Sequence, residues 1–299
     1  MADAMIVEAA DLRKHYATVE ALQGLNLEVP PGSIYGLLGK NGAGKTTTIK
    51  ILLGMTRPTS GRVRVFGLDA SDAQASVDIR RRTGFVSEEK DLYDYMTVDE
   101  TVRFTASFFP RWRRDLESRY LRSFELPPDR KIKALSRGMR TKLTLLLALC
   151  RGPELLLLDE PTSGLDPAMT EEVLQTLVSH VAGEGLTVVF SSHQIAEVEQ
   201  IADSVAIVHH GRTVVAGTLD ALRDRYRRID LVFDGDAPSP AFHAPGIVRV
   251  RRRGRVLAVL SSNGVDRILD EARALKPATV DVVPITLKEI FLESVAVED

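Results

Sequence analysis

The chain has 299 residues, 44% hydrophobic and 27% charged, enough apolar material for a sizeable core, which excludes the disordered, collagen-like and disulfide-stapled classes. Its 39 basic residues against 41 acidic ones leave a formal net charge of −2, so no overall basic balance points to nucleic acid as a partner. Cys150, the single cysteine, lies in the apolar run LTLLLALC and reads as a packed thiol in a reducing compartment rather than a redox group. The start MADAMIVEAADLRK lacks a basic segment followed by an apolar one, and no apolar run approaches the roughly 18 residues of a bilayer span. A cytoplasmic chain that enters no membrane by itself is expected.

Along the first 225 residues, short apolar runs alternate with helical patterns, as when helices wrap a largely buried sheet. Strands are expected at SIYGLLG (33–39), TGFVSE (83–88), ELLLLDE (154–160), TVVFSSH (187–193) and SVAIVHH (204–210). A mainly helical insert, about 89–150, separates the second from the third. In it Thr97 and Glu100 form a capping box, and a further helix runs to about residue 125. RWRR at 111–114 reads as a solvated helix start, with a polyanion site as the alternative. In ALSRGMRTK (134–142), Ser136 has the place of a helix N-cap, because Met139, Leu143, Leu146 and Cys150 follow at helical spacing. Gly138 leaves N–H groups open at the first turn, which attracts anions.

After about residue 229 the composition changes. IDLVFDG, the Pro-rich DAPSPAFHAPG, the hairpin-like IVRVRRRGRVLAVLSS, the amphipathic VDRILDEARAL and TLKEIFLES suggest a small separate α/β unit, giving boundaries of 1–228 and 229–299. Arg249 to Arg255 reads as the wet face of a two-stranded ribbon, with an anionic contact surface as the alternative.

GKNGAGKTT (39–47) follows a strand and opens a helix, the context in which G-x-x-x-x-G-K-[ST] is a phosphate cradle. The loop Gly39, Lys40, Asn41, Gly42, Ala43, Gly44 brings backbone N–H groups close to phosphate oxygens. Lys45 is directed to the β and γ phosphates, the Thr46 hydroxyl to Mg²⁺, and Thr47 adds a donor. LLLLDE ends a buried strand in two carboxylates: Asp159 suits a Mg²⁺ ligand acting through water, and Glu160 a base for an attacking water. The plainer alternative is a strand end at the surface.

With these motifs in order, the chain resembles the nucleotide-binding subunit of ATP-binding cassette (ABC) transporters over roughly residues 5–225. GKNGAGKTT matches Walker A, LSRGM the signature, LLLLDEP Walker B, SGLD (163–166) the D-loop and His193 the switch histidine. The resemblance implies an α/β P-loop NTPase cassette with a RecA-like core sheet, a helical subdomain and a small C-terminal α/β domain. It implies Mg²⁺-dependent ATP hydrolysis, Tyr16 stacking on adenine, and His193 sensing the γ phosphate. For Tyr16 the alternative is a core or rim residue, and for His193 a strand-end histidine that orients backbone. Asp166, an N-cap before Pro167, is implied at the subunit contact.

Cassettes of this family pair head to tail, so Ser136, Arg137, Gly138 and Met139 would serve the partner's nucleotide. Two departures stand out: Arg137 replaces a usual Gly and places a cation near a phosphate site, and Glu88 replaces a usual Gln while still able to hold Mg²⁺ or water. Glu88, LSRGM and TLKEIFLE together are most similar to ABC-2 type exporter cassettes. That implies a second cassette subunit, most simply in a homodimer, a separate membrane permease, no nucleic-acid partner, and a cytoplasmic, peripheral place on the inner face of the membrane. The competing readings are a cassette ATPase acting on ribosomes or DNA and a catalytically silent ATP-dependent module. The single cassette without heptads disfavours the first, and intact Lys45, Asp159, Glu160 and His193 the second.

Overall fold

A computed structural model describes residues 5–239 and 242–295, and the chain divides into two compact units, 1–216 and 217–299. In the first, β1 (Val7–Tyr16) and β2 (Val19–Val29) form an antiparallel pair. Next come β3 (Ile34–Leu38), α1 (Lys45–Leu52), β4 (Ser60–Val65), β5 (Leu68–Asp69), α2 (Ala73–Arg82) and β6 (Thr83–Val86). β2, β1, β4 and β5 make one sheet in that order. This sheet was not anticipated, because β1 and β2 carry polar residues on one side and read as alternation interrupted by register shifts rather than as buried runs.

The helical insert contains α3 (Val98–Ala106), α4 (Arg114–Ser123) and α5 (Arg137–Leu149). The capping box forms, Thr97 Oγ1 accepting from Glu100 N at 3.1 Å while Glu100 Oε2 accepts from Thr97 N at 2.8 Å. Arg113 pairs with Asp115 and Glu184, and Arg114 with Glu117, so RWRR is an ion-paired helix start. Cys150 is buried, and burial pushes its thiol up to about 12, which leaves it inert at neutral pH.

The chain continues through β7 (Leu155–Asp159), α6 (Pro167–Glu184), β8 (Thr187–Ser192), α7 (Ile195–Ile201), β9 (Ser204–His209) and β10 (Arg212–Thr218). The central sheet has the order β10-β9-β3-β8-β7-β6, and β9, β3, β8, β7 and β6 run parallel. All five sequence-expected strands lie in it. β3, β7, β8 and β9 are buried along their whole length, the condition of a parallel sheet covered on both faces. Leu38 pairs with Ser192, and Asp159 with Ser191, so the carboxyl ends of β3, β7 and β8 arrive at one level. Ligand crevices of open α/β sheets form at such ends.

Tyr120 on α4 hydrogen-bonds through its hydroxyl to His180 Nε2 on α6, with Glu184 3.8 Å from Nδ1. Burial holds the imidazole below its usual range; Glu184 opposes that shift, whereas Arg119 and Arg113 reinforce it. A histidine kept neutral by the fold stabilises it fully above the unfolded value of about 6.5, and that contribution is lost as pH falls through the folded value. The urea midpoint is therefore expected to drop between pH 7.5 and 5.5, and His180→Gln to flatten that slope. An unchanged slope in the variant would remove His180 as its cause.

The second unit holds α8 (Leu219–Arg225), β11 (Arg227–Val232), β12 (Ile247–Arg253), β13 (Val256–Ser261), α9 (Val265–Ala274), β14 (Thr279–Pro284) and α10 (Leu287–Val295). Its antiparallel sheet has the order β12-β13-β11-β14. Ile229, Leu231, Leu257 and Val259 pack with Ile268 and Ala272 of α9. Arg249 and Arg251 both pair with Glu293 of α10, at 3.1 and 2.9 Å, so the arginine side of β12 has a partner in its own unit. The contact boundary precedes the expected one at 229, because α8 and the start of β11 belong with the second unit. A chain ending at Thr218 is expected to bind ATP with affinity within about 3-fold of the full chain, since each unit has its own core. A folded truncation that no longer binds would refute the independence of the first unit.

Candidate active site

Between β3 and α1 the chain must bring backbone close to its neighbours. A Cβ at Gly39 would lie 2.6 Å from Val208 O, and one at Gly44, whose φ is +107, 2.7 Å from Ala21 O. Gly44 precedes α1 without a side-chain cap, so the helix start stays open to an anion. Lys45, 6% exposed, donates to Gly39 O at 2.7 Å and Lys40 O at 3.2 Å. Its ammonium is thereby fixed beside the loop, where it meets Glu160 Oε1 at 3.1 Å.

Asp159 and Glu160, 3% and 6% exposed, end β7 and are joined by a residue the sequence reading missed. Ser191 on β8 donates to Asp159 Oδ1 at 2.7 Å and accepts from Glu160 N at 2.9 Å. Its signal was a serine pair inside an otherwise apolar strand. Glu160 has φ +46, a left-handed conformation that costs a non-glycine residue about 1 kcal/mol and survives where the surroundings impose it. Its Oε2 meets His193 Nδ1 at 2.8 Å, which leaves Nε2 for a further contact. Glu160 Oε1 is buried, with the Lys45 ammonium beside it.

Tyr16, Asn41, Gly42, Gly44, Lys45, Thr46, Thr47, Glu88 and Glu160 line one cavity of about 530 Å³. Tyr16 is 41% exposed at the rim of this cavity, with Lys14 Nζ 4.8 Å from its ring centroid. Ala43 packs into the core. No residue from 134–142 lines this cavity. Ser136 caps α5 by accepting from Met139 N at 3.2 Å, and Asp166 caps α6 by accepting from Met169 N at 3.0 Å. Gly138 faces Met169, whose sulfur a Cβ there would overlap. The Arg137 guanidinium lies over Gly164 in the same chain. Lys90, also missed, is 4% exposed, has φ +50 and donates to Glu88 O at 3.0 Å. Burial is the main reason its ammonium is held below the usual lysine range.

No set of three or more His, Cys, Asp or Glu side chains among the described residues could hold a metal. The nearby donors are hard oxygens: the Thr46 hydroxyl and the carboxylates of Glu88 and Asp159. Such a sparse set fits Mg²⁺, which keeps several waters and takes few carboxylates beside substrate phosphates.

The model of the ABC transporter family matches residues 22–163. BcrA, a bacitracin transport ATP-binding protein of Bacillus licheniformis, is 33% identical over 281 residues, covering 87% of this chain and 91% of that protein. The chain belongs to the ABC transporter family. A solved ATP-binding subunit of an ABC transporter is 31% identical with a TM-score of 0.66, covering 73% of this chain and 92% of that one. The cassette MJ0796, solved as a dimer in a post-hydrolysis state with ADP and Pi, is 25% identical with a TM-score of 0.65, covering 71% and 98%. The first unit is thus an ABC cassette on a P-loop fold, an ATP-binding subunit with ATPase activity. No helix among the described residues is long and apolar enough to cross a membrane.

Proposed function

We propose that this chain is the energy-coupling subunit of an exporter: two copies close head to tail on two ATP molecules, and closure drives a separately encoded permease beneath which the pair sits, on the inner face of the membrane. The observation that carries the permease reading is a row of exposed rings. Tyr93 lies 5.7 Å from Tyr95 and 5.9 Å from Phe104, and Phe104 lies 5.1 Å from Phe108. All four are among the most exposed large apolar residues of the first unit, and contiguous exposed apolar surface of this kind marks an interaction site. The row follows the Glu88 loop in sequence, which supports communication between a partner there and the nucleotide. Export rather than import rests on the likeness to ABC-2 type cassettes.

Within each site Tyr16 stacks on adenine, the loop from Gly39 to Gly44 cradles the phosphates, and Lys45 exchanges Glu160 for the β and γ phosphates. Freed from that ion contact and held by His193, Glu160 accepts a proton from a water that attacks the γ phosphorus. The bond from that phosphorus to the bridging oxygen breaks, releasing ADP and phosphate. Thr46, Asp159 and Glu88 would hold Mg²⁺, which supplies positive charge against the phosphate oxygens. Ser136, Arg137, Gly138 and Met139 of each chain form the signature end that serves the partner's nucleotide, with Asp166 at the contact.

Affinity purification from detergent-solubilised membranes tests the reading. A stoichiometric polytopic membrane protein is expected, its recovery reduced about 10-fold or more by Phe104→Ser with Phe108→Ser, the loss of two aromatic anchors. Recovery with ribosomes instead would favour the competing function.

A further inference from the structure

Arg137 replaces the usual glycine of the signature, and its geometry gives the replacement a role. A Cβ at Gly164 would overlap Nη1, Cζ and Nε of Arg137, the farthest of the three at 2.9 Å. The guanidinium therefore lies flat on Gly164, which has φ +71 and no side chain to prevent it. Arg137 Nη2 also approaches Ser163 Oγ at 3.4 Å. The contact is continued along two helices: Gly138 abuts Met169, and Lys142 pairs with Glu172 at 2.6 Å. The starts of α5 and α6 are thus held side by side.

The turn under Arg137 is wound directly on Glu160. Ser163 N donates to Glu160 O at 3.2 Å, and Leu165 N to Thr162 O at 3.0 Å. On the other flank, Arg137 shares a pocket with Lys90, Glu88, Glu89 and Arg140.

We infer that Arg137 is a positioning residue that ties the signature end of α5 to the turn carrying Glu160 in the same chain, coupling the partner's ATP site to this chain's own base. The coupling rests on the proposal that residues 134–142 act in trans. The tie itself does not. A signature engaged by the partner's nucleotide would bear through Arg137 and Ser163 on the backbone of Glu160, so that one filled site prepares the other. A flat guanidinium suits this and an ammonium does not, because lysine offers a point charge without a stacking plane.

Hydrogen exchange on the full, nucleotide-free chain tests the tie without requiring pairing. Peptides covering 160–166 are expected to exchange about 2- to 5-fold faster in both Arg137→Gln and Arg137→Lys, the range set by loss of an exposed polar contact. Unchanged exchange in both would overturn the inference. Steady-state kinetics tests the coupling: the Hill coefficient for ATP should fall toward 1 and kcat about 3-fold, with KM within about 2-fold, and lysine should not rescue. A raised KM that Arg137→Lys restores would mean the cation serves a phosphate directly, and would also overturn it. Faster exchange with an unaltered Hill coefficient would leave the tie and remove the coupling. A failure of the trans reading would appear separately, in the mixed-pair experiment of the Discussion.

Discussion

Glu160→Gln is expected to retain ATP binding within a few-fold while turnover falls by about 10²-fold or more, the usual worth of a positioned general base. The amide has nearly the shape of the carboxylate, and its oxygen can still meet His193 Nδ1, which now lies 2.8 Å from Oε2. Lys45 loses its ion contact at 3.1 Å, but its bonds to Gly39 O and Lys40 O remain, so the phosphate loop keeps its form. What the variant lacks is a group that accepts the water's proton near neutral pH. Removal of the Lys45–Glu160 contact also leaves the ammonium free for phosphate, so affinity should not fall. Equilibrium ATP binding and phosphate release, measured on the same preparation, check both halves. Hydrolysis at the unmodified rate would remove Glu160 as the base.

A second large effect is expected when two defects are distributed between paired chains. Lys45→Ala removes the cation of the phosphate loop. Ser136→Asp keeps an N-cap, because aspartate caps as well as serine, yet sets a carboxylate against the partner's phosphates. Aspartate at position 136 is preferable to a side chain at Gly138, where a Cβ would displace Met169 and disturb the chain that carries it. If the signature acts in trans, pairing a Lys45→Ala chain with a Ser136→Asp chain puts both defects in one site and leaves the other whole. Pairing a doubly substituted chain with an unmodified one damages both sites. The first pair should therefore turn over ATP at least about 10-fold faster than the second, the difference between one intact site and none. Differently tagged, co-purified chains allow the measurement, and the reverse ranking would show that each chain completes its own site.

In the second unit, local pattern specifies part of the sheet but not what covers it. Its sheet was partly visible in advance: IVRVRRRGRVLAVLSS became the hairpin of β12 and β13, and VDRILDEARAL became α9. That the arginines of β12 would meet Glu293 of α10 was not visible, since Arg249 lies 44 positions from Glu293 and nothing in the alternation names the helix that returns over that face.

Where chemistry is written in consecutive residues, the sequence by itself determined the outcome. The loop from Gly39 to Thr47, the carboxylates that end LLLLDE, the caps at Thr97, Ser136 and Asp166 and the five parallel strands of the central sheet all depend on neighbours within a few positions. Local periodicity, a glycine where backbone crowds, and a capping hydroxyl suffice to specify them. The tertiary structure alone decided how distant pieces finish the site. Ser191 joins Asp159 and Glu160 only because β8 lies beside β7. Lys90 becomes a buried cation only because its loop folds inward, and Arg137 lies on Gly164 only because α5 and α6 start side by side. Those contacts depend on which surfaces meet after the chain has closed loops of tens of residues. A single sequence carries no local signal for that choice, because it is made by the packing of whole elements.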